Sequence, residues 1–290
     1  MNQPLASGAL PHNFSMDAVF SALKLNGAVV IPTDAFDIES FSRLIQSICR
    51  RITFDPAREY ASSAAQTVDA GTAAVGLHIE NGNTPLPPDI VSFYSARSAK
   101  TGAQTTLCDG IAVLARMPKT LVNRFEKPFT MTRTLPKAIW QRYVATAFGL
   151  ANADEVEQVH LDRFINAVPG QSYAWAEEAS INYRLEINAI RSDNMAATPS
   201  FANSLLGPSY NYEPPTYRFS DGAIISQDIL DELAVIGEEN TVEIPWRDGD
   251  VAIIDNKRVM HGRREITVPL AERKLFIAMG LDIVHCGQPS

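Results

Sequence analysis

Short apolar runs, set between turns bearing proline and glycine, crowd the two ends of this 290-residue chain, while helical patterns fill much of the space between. In the first half, Ala28 to Ile31, Val75 to Glu80, Ile90 to Tyr94 and Thr105 to Cys108 read as strands. In the second, Thr241 to Pro245, Val251 to Asp255, Arg258 to His261 and Lys274 to Ile283 do the same. Strands this far apart in sequence bury their apolar faces only by packing into shared layers. The pattern predicts a mainly β fold with helical insertions: a β-sandwich or jelly-roll core wrapped by helices. A doubly wound βαβ architecture fits worse, because no Gly-rich strand-to-helix turn is present.

The helices are legible from apolar spacing. Met16 to Leu25 forms one, released by Gly27; Asp37 could cap a second, with Ile38, Phe41, Leu44, Ile45, Ile48 and Ile52 recurring at helical intervals. Asp109 to Met117, Thr120 to Phe125, Lys137 to Phe148 and Asp154 to Ala167 make a helical insertion at roughly 110–170 within a single domain spanning 1–290, and Gln227 to Ile236 is a further helix. Ile181 to Ala189 alternates, with Asn182, Arg184, Glu186 and Asn188 on its polar face. Residues 1–14 read as a loose arm, Arg58 to Ala74 as a mobile loop, and Asn194 to Pro215 as loop-rich.

Charge and cysteine usage narrow the function classes. The formal net charge is −8, which argues against a nucleic-acid scaffold, where a basic stripe has to meet phosphates. It leaves a small-molecule substrate open, since a pocket can carry either sign. Cys49, Cys108 and Cys286 are few, odd in number and far apart, as expected of reduced thiols. No basic start followed by an apolar run is seen, nor any apolar stretch near the roughly 20 residues that span a bilayer. The expectation is a cytoplasmic protein without a membrane or nucleic-acid partner. The sequence carries no signal of oligomeric state.

Two short motifs carry the chemistry. In His78-Ile79-Glu80, residues two apart on a strand share a face, so both side chains can reach one metal. His261, late in the chain on another strand, can complete a set of two imidazoles and one carboxylate, the facial triad of non-haem Fe(II) oxygenases. The bland alternative for His261 is a satisfied polar residue ending a strand. Arg273, at the entry to the last apolar strand, could clamp a carboxylate bidentately, or merely pair with Glu272 at the surface. Thr105 could add a hydroxyl to the same carboxylate, or reflect ordinary strand propensity. Asp248 and Asp250 read as turn residues, His160 as structural, and His12 and His285 lack partner spacing.

These residues, in this order, resemble the taurine dioxygenase and clavaminate synthase-like superfamily of Fe(II)/2-oxoglutarate oxygenases. The likeness runs through Gly76 to Glu80, Pro87 to Tyr94 and Gly102 to Asp109. It resumes at Gly249-Asp250, Asp255-Asn256, His261-Gly262-Arg263 and Arg273. It implies a double-stranded β-helix core, with Fe(II) on His78, Glu80 and His261, 2-oxoglutarate and O2 as cosubstrates, and Arg273 with Thr105 on the distal carboxylate of 2-oxoglutarate. Many taurine dioxygenase-like members carry Asp where this chain has Glu80, and clavaminate synthase-like amino-acid hydroxylases use Glu. Related halogenases carry Gly there, so Glu80 points to hydroxylation.

The implied reaction is hydroxylation of an unactivated C–H bond in a small polar molecule, most plausibly a free amino acid or derivative, with release of succinate and CO2. Asn81, Asn83, Trp175, Arg184 and Asn188 are the candidate substrate contacts, with Tyr173 beside them; the polar face of 181–189 could equally be a solvated strand side. Desaturation or cyclisation could use the same machinery. A zinc-type hydrolase on the same triad would have no use for the Arg273 clamp, and a metal-free β-sandwich binding protein would tolerate loss of either histidine.

Overall fold

The computed structural model describes residues 8–9, 14–33, 36–68, 71–208 and 214–284. The strand Val251–Asp255 shows how its centre is built. All five residues are buried, with Val251 and Ile253 in one apolar cluster and Ala252 and Ile254 in another. Side chains alternate along a strand, so one covered on both faces reads as a continuous apolar run. This strand lies inside a seven-stranded sheet ordered Gly8–Ala9, Ala28–Ile31, Val251–Asp255, Ile90–Arg97, Lys274–Ile283, Cys49–Thr53, with Ala65–Thr67 also paired to Lys274–Ile283. Its pairings are antiparallel except that of Gly8–Ala9 with Ala28–Ile31.

Helices Met16–Asn26 and Ile38–Ile48 cover one face of this sheet, burying Leu23, Phe41, Ile45 and Ile48 against Val29, Ile31 and Ile253. Both begin at side-chain caps: Ser15 accepts from Ala18 N, and Asp37 Oδ1 accepts from Ser40 N at 2.7 Å. Gly27, at φ 75°, ends the first helix in the left-handed region open to glycine. Ile52, expected in the second helix, instead lies in the strand Cys49–Thr53: the helix stops at Ile48 and the chain turns into the sheet.

A smaller antiparallel sheet, ordered Thr241–Glu243, Thr105–Asp109, Val259–Arg263, Val75–His78, faces the other side. Leu107 and Val259 point inward and close the layer against Val91, Phe93, Ile254 and Ile277 of the large sheet. Their neighbours Cys108 and Met260 point outward into a third cluster, built with Phe125, Phe129, Trp140, Leu161 and Ile181. Part of that cluster comes from a separate four-stranded sheet, ordered Thr216–Arg218, Phe129–Leu135, Ile181–Ile187, Gln171–Trp175, and from helices Lys137–Phe148 and Gln158–Ala167.

The jelly-roll expectation agrees with this mainly β arrangement, although the sheets do not close into a barrel. Two readings change. The expected helical insertion contains the strand Phe129–Leu135, whose Thr-rich alternation pairs with Ile181–Ile187 on one side and Thr216–Arg218 on the other. The expected loop Arg58 to Ala74 contains the strand Ala65–Thr67. Among the described residues, no helix is long and apolar enough to cross a membrane. Cys49 and Cys108 are buried free thiols, and Cys286, His12 and His285 lie outside the described residues.

Candidate active site

Strand parity places His261 on the inner face of the small sheet, two residues after the inward Val259. Its antiparallel partner is His78, and the two rings lie 4.4 Å apart between centroids. Gly262 permits this approach: a Cβ there would meet Val75 O at 2.6 Å and Thr106 Oγ1 at 2.8 Å. The third member, Glu80, lies just past the end of its strand, in the turn opened by Asn81 at φ 53°. It was expected within the strand; the turn delivers it to the same place. Glu80 Oε2 stands 3.4 Å from His261 Nε2, and one donor atom from each of the three residues falls within 4.8 Å of the others.

The protonation states suit a metal. His78 Nδ1 lies 2.8 Å from Gly76 O, a carbonyl that can only accept, so Nδ1 carries the proton and Nε2 keeps its lone pair. Burial, with help from His261, lowers the His78 pKa to about 4, so the ring is neutral near pH 7. Burial alone would push the Glu80 carboxyl up. The Arg58 guanidinium, whose Nη2 donates to Oε1 at 2.9 Å, and His261 outweigh it and hold the carboxyl well below the usual range. Arg58 thus takes one oxygen and leaves the other toward the histidines. A neutral His78, a second imidazole and a locked carboxylate, the last two buried and His78 half-buried, form a donor set that fits Fe(II).

Several residues outside the triad hold it, and sequence reasoning had not given them roles. Asn256, fully buried, accepts from Glu80 N at 2.8 Å and donates to Glu80 O at 3.1 Å and Pro88 O at 2.9 Å, so it fixes the ligand-bearing turn to the turn after Val251–Asp255. Gln66 accepts from Asp55 N and donates to the carbonyls of Asp55 and Arg58, and so binds the Arg58 segment to the large sheet. The sequence around Arg58 carries no periodic or motif signal; only its tertiary contact reveals it.

The triad opens into a cavity of about 460 Å³ that also exposes Thr105, Arg263 and Arg273. Thr105 Oγ1 accepts from Trp246 Nε1 at 2.9 Å, and indole can only donate, so the threonine's own proton remains for another acceptor. No carboxylate pairs with Arg273 among the described residues, which removes the expected alternative of a surface pair with Glu272. Burial, then Arg263, lowers its pKa to about 10, which still leaves it charged at neutral pH. Arg264, by contrast, is held at the surface by Glu238 and Glu243.

The expected substrate contacts divide. Asn81 and Asn83 line the cavity. Trp175 does not; it is 48% exposed and packs edge-on against Trp140 and Tyr173, itself absent from the lining. Arg184 pairs with Glu186 and Asn188 is exposed, so the polar face of Ile181–Ile187 is the solvated side. It is the opposite face, Ile181 and Tyr183, that reaches the cavity, together with Arg133, Trp140, Tyr143 and Leu161. His160 accepts from Glu157 N in a capping box, Asp250 accepts from Arg247 N within its turn as expected, and Asp248 reaches out of that turn to accept from Ser98 N.

A family model described as taurine catabolism dioxygenase TauD, TfdA family, matches residues 5–279. The chain belongs to this family. It is accordingly an Fe(II)- and 2-oxoglutarate-dependent dioxygenase. A clavaminate synthase-like protein of Arabidopsis thaliana is 30% identical over 211 residues, covering 67% of this chain and 62% of that protein, so the match spans less than two thirds of that relative. Dapdiamide synthesis protein DdaC of Enterobacter agglomerans is 24% identical over an alignment of 328 positions, covering 98% of this chain and 94% of that protein. Asparagine oxygenase, solved with Fe(II), 2S,3S-3-hydroxyasparagine and succinate, shares the fold at a TM-score of 0.57 and 15% identity over 90% of this chain and 77% of that one.

Proposed function

We propose that the protein hydroxylates an unactivated C–H bond of a free amino acid or close derivative, with Fe(II) held by His78, Glu80 and His261 and with 2-oxoglutarate held at its distal carboxylate by Arg273 and Thr105. The observation that carries the reading is the convergence, in one cavity, of a two-imidazole, one-carboxylate set with a half-buried arginine that no carboxylate of the described residues neutralises. The asparagine oxygenase complex, with its hydroxylated amino acid and succinate, supports the substrate class by likeness of fold.

Fe(II), when bound with 2-oxoglutarate, supplies the means to activate O2; one oxygen atom enters succinate as CO2 leaves, and the other enters the substrate as a hydroxyl. The chain's residues do the rest. The tautomer set by Gly76 O leaves the His78 lone pair on Nε2, which would hold the metal. Arg58 holds Glu80 ionised and leaves Oε2 facing inward. Arg273 and the Thr105 hydroxyl orient the cosubstrate, while Phe93, 5.3 Å from the His261 ring, and Leu275 keep that end of the cavity dry. As a ligand Glu80 would fill the position that related halogenases, with Gly there, leave for a halide, which favours hydroxylation.

Anaerobic addition of Fe(II) and 2-oxoglutarate to the protein should produce a weak visible charge-transfer band, absent in His261→Ala. Loss of the band from the wild type, or its full retention in the variant, would remove the triad from its role.

A further inference from the structure

The side chains facing the cavity divide it into two chemistries. Arg58 and Asn83 line the cavity beside the triad, and each carries a buried polar atom with no hydrogen-bond partner, Nη1 and Oδ1 respectively. Buried polar groups are nearly always satisfied, so an unmatched donor and an unmatched acceptor on two residues that line one cavity point to a ligand that engages them. The Asn83 orientation is set by its surroundings. Tyr217 Oη lies 3.2 Å from Ser204 O, a carbonyl that only accepts, so the phenol donates there. It therefore accepts from Asn83 Nδ2 at 2.9 Å, which leaves Oδ1 as the amide's unmatched acceptor. Arg58 is similarly fixed, with Nη2 on Glu80 and its backbone carbonyl held by Gln66.

Away from the triad the lining turns apolar. Leu135, Trp140, Val144, Leu161, Phe164 and Ile181 form a lobe between the separate four-stranded sheet and its two helices. The polar handles of two rings here are taken by protein partners: Trp140 Nε1 donates to Ala179 O at 3.0 Å, and Tyr183 Oη donates to Gln171 Oε1 at 2.8 Å. Arg133, the charged residue of this region, has its Nε 3.5 Å from Met131 Sδ. The lobe offers dispersion contacts and the exclusion of water, which reward an apolar group.

The geometry points to an amino acid, or amino-acid unit, with a large apolar side chain as the substrate. Arg58 takes the carboxylate, Asn83 Oδ1 accepts from the ammonium, and the lobe encloses the side chain. This assignment rests on the oxygenase reading above and narrows it. It departs from the small polar molecule that the sequence suggested, because the polar residues 182–188 behind that expectation face solvent.

The test uses the full chain with Mn(II) and 2-oxoglutarate, and calorimetric titration with L-phenylalanine, L-leucine, L-asparagine, L-glutamate and 3-phenylpropionate. Phenylalanine or leucine should bind at least about tenfold more tightly than asparagine or glutamate. Phenylalanine should also outbind 3-phenylpropionate, which lacks the ammonium, by at least about tenfold, a loss expected when a buried acceptor stays unpaired. Asn83→Leu should erase that second difference, and Leu161→Trp, which fills the lobe, should weaken phenylalanine about tenfold or more. The wild-type comparison needs no variant and decides the matter even if either fails to fold. Equal or tighter binding of the polar amino acids, or of 3-phenylpropionate, would overturn the assignment. A parallel aerobic assay with Fe(II) separates the two levels. Slow succinate formation without any amino acid, alongside no preference for apolar ones, leaves the oxygenase reading standing and removes only the substrate class. No succinate under any condition removes both.

Discussion

Arg273 is charged, half-buried and faces a second arginine, Arg263, in the same cavity. Two guanidiniums kept near each other away from bulk water repel, and the arrangement becomes favourable when an anion bridges them or sits on one. Arg273→Ala removes a charge-assisted contact of a kind that typically contributes ~2–5 kcal/mol in a desolvated site. The apparent 2-oxoglutarate requirement should rise at least about tenfold, at ~1.4 kcal/mol per decade. Steady-state assays at varied 2-oxoglutarate would show it, and an unchanged requirement would return Arg273 to a structural role. The same residue illustrates what a linear sequence reveals. That His78, Glu80, His261, Thr105 and Arg273 converge on one cavity was foreseeable, because their residue types recur in short motifs in the order the resemblance supplied. Arg58, Asn256 and Trp246 act through contacts made across 22, 176 and 141 positions, and no local pattern encodes such contacts. Trp175, Arg184 and Asn188 were misplaced because alternation states which residues share a face, and says nothing about which face is wet.

At the scale of elements, the capped helices and the buried strands announce themselves, since each has a period, a cap or a continuous apolar run. Ala65–Thr67 does not: three residues are too few for a period, and the strand exists because Lys274–Ile283 offers an edge to it. Phe129–Leu135 was hidden differently, by lying between two helices. The turn after Val251–Asp255 is the element on which the site leans most. Asp255 ends that strand 1% exposed, accepts from Met195 N at 2.8 Å and Lys257 N at 3.0 Å, and precedes Asn256. Burial raises the Asp255 pKa to about 6 in spite of those bonds. The folded state therefore holds this proton more tightly than the unfolded chain does. Between about pH 4 and pH 6 the unfolded chain binds fewer protons, and the stability from this group falls as pH rises. Denaturant titrations should show wild type losing of order 1–3 kcal/mol relative to Asp255→Asn across that window. A constant difference between the two proteins would mean that Asp255 ionises as freely in the fold as out of it.

At the scale of the molecule, the site joins parts that the chain keeps far apart. The triad lies on and just beyond the small sheet, Arg273 at the start of Lys274–Ile283 in the large sheet, and Arg58 on a segment pinned beside them. On the proposed reading, 2-oxoglutarate would reach from the triad on the small sheet to Arg273 in the large one, so metal and Arg273 would each strengthen its hold. Binding to the native state alone adds about 2.7 kcal/mol of stability when a ligand is present at 100 times its Kd. For a chain of this length that corresponds to a rise in Tm of roughly 4 °C. Mn(II), which does not turn over, serves as the probe. Mn(II) with 2-oxoglutarate should raise Tm by more than the sum of the two shifts measured separately, and 2-oxoglutarate with a chelator present should give little. In Arg273→Ala the excess should shrink while the Mn(II) shift persists, because the triad is intact. A 2-oxoglutarate shift of equal size with and without metal would show that the cosubstrate does not bridge the two sheets through the triad.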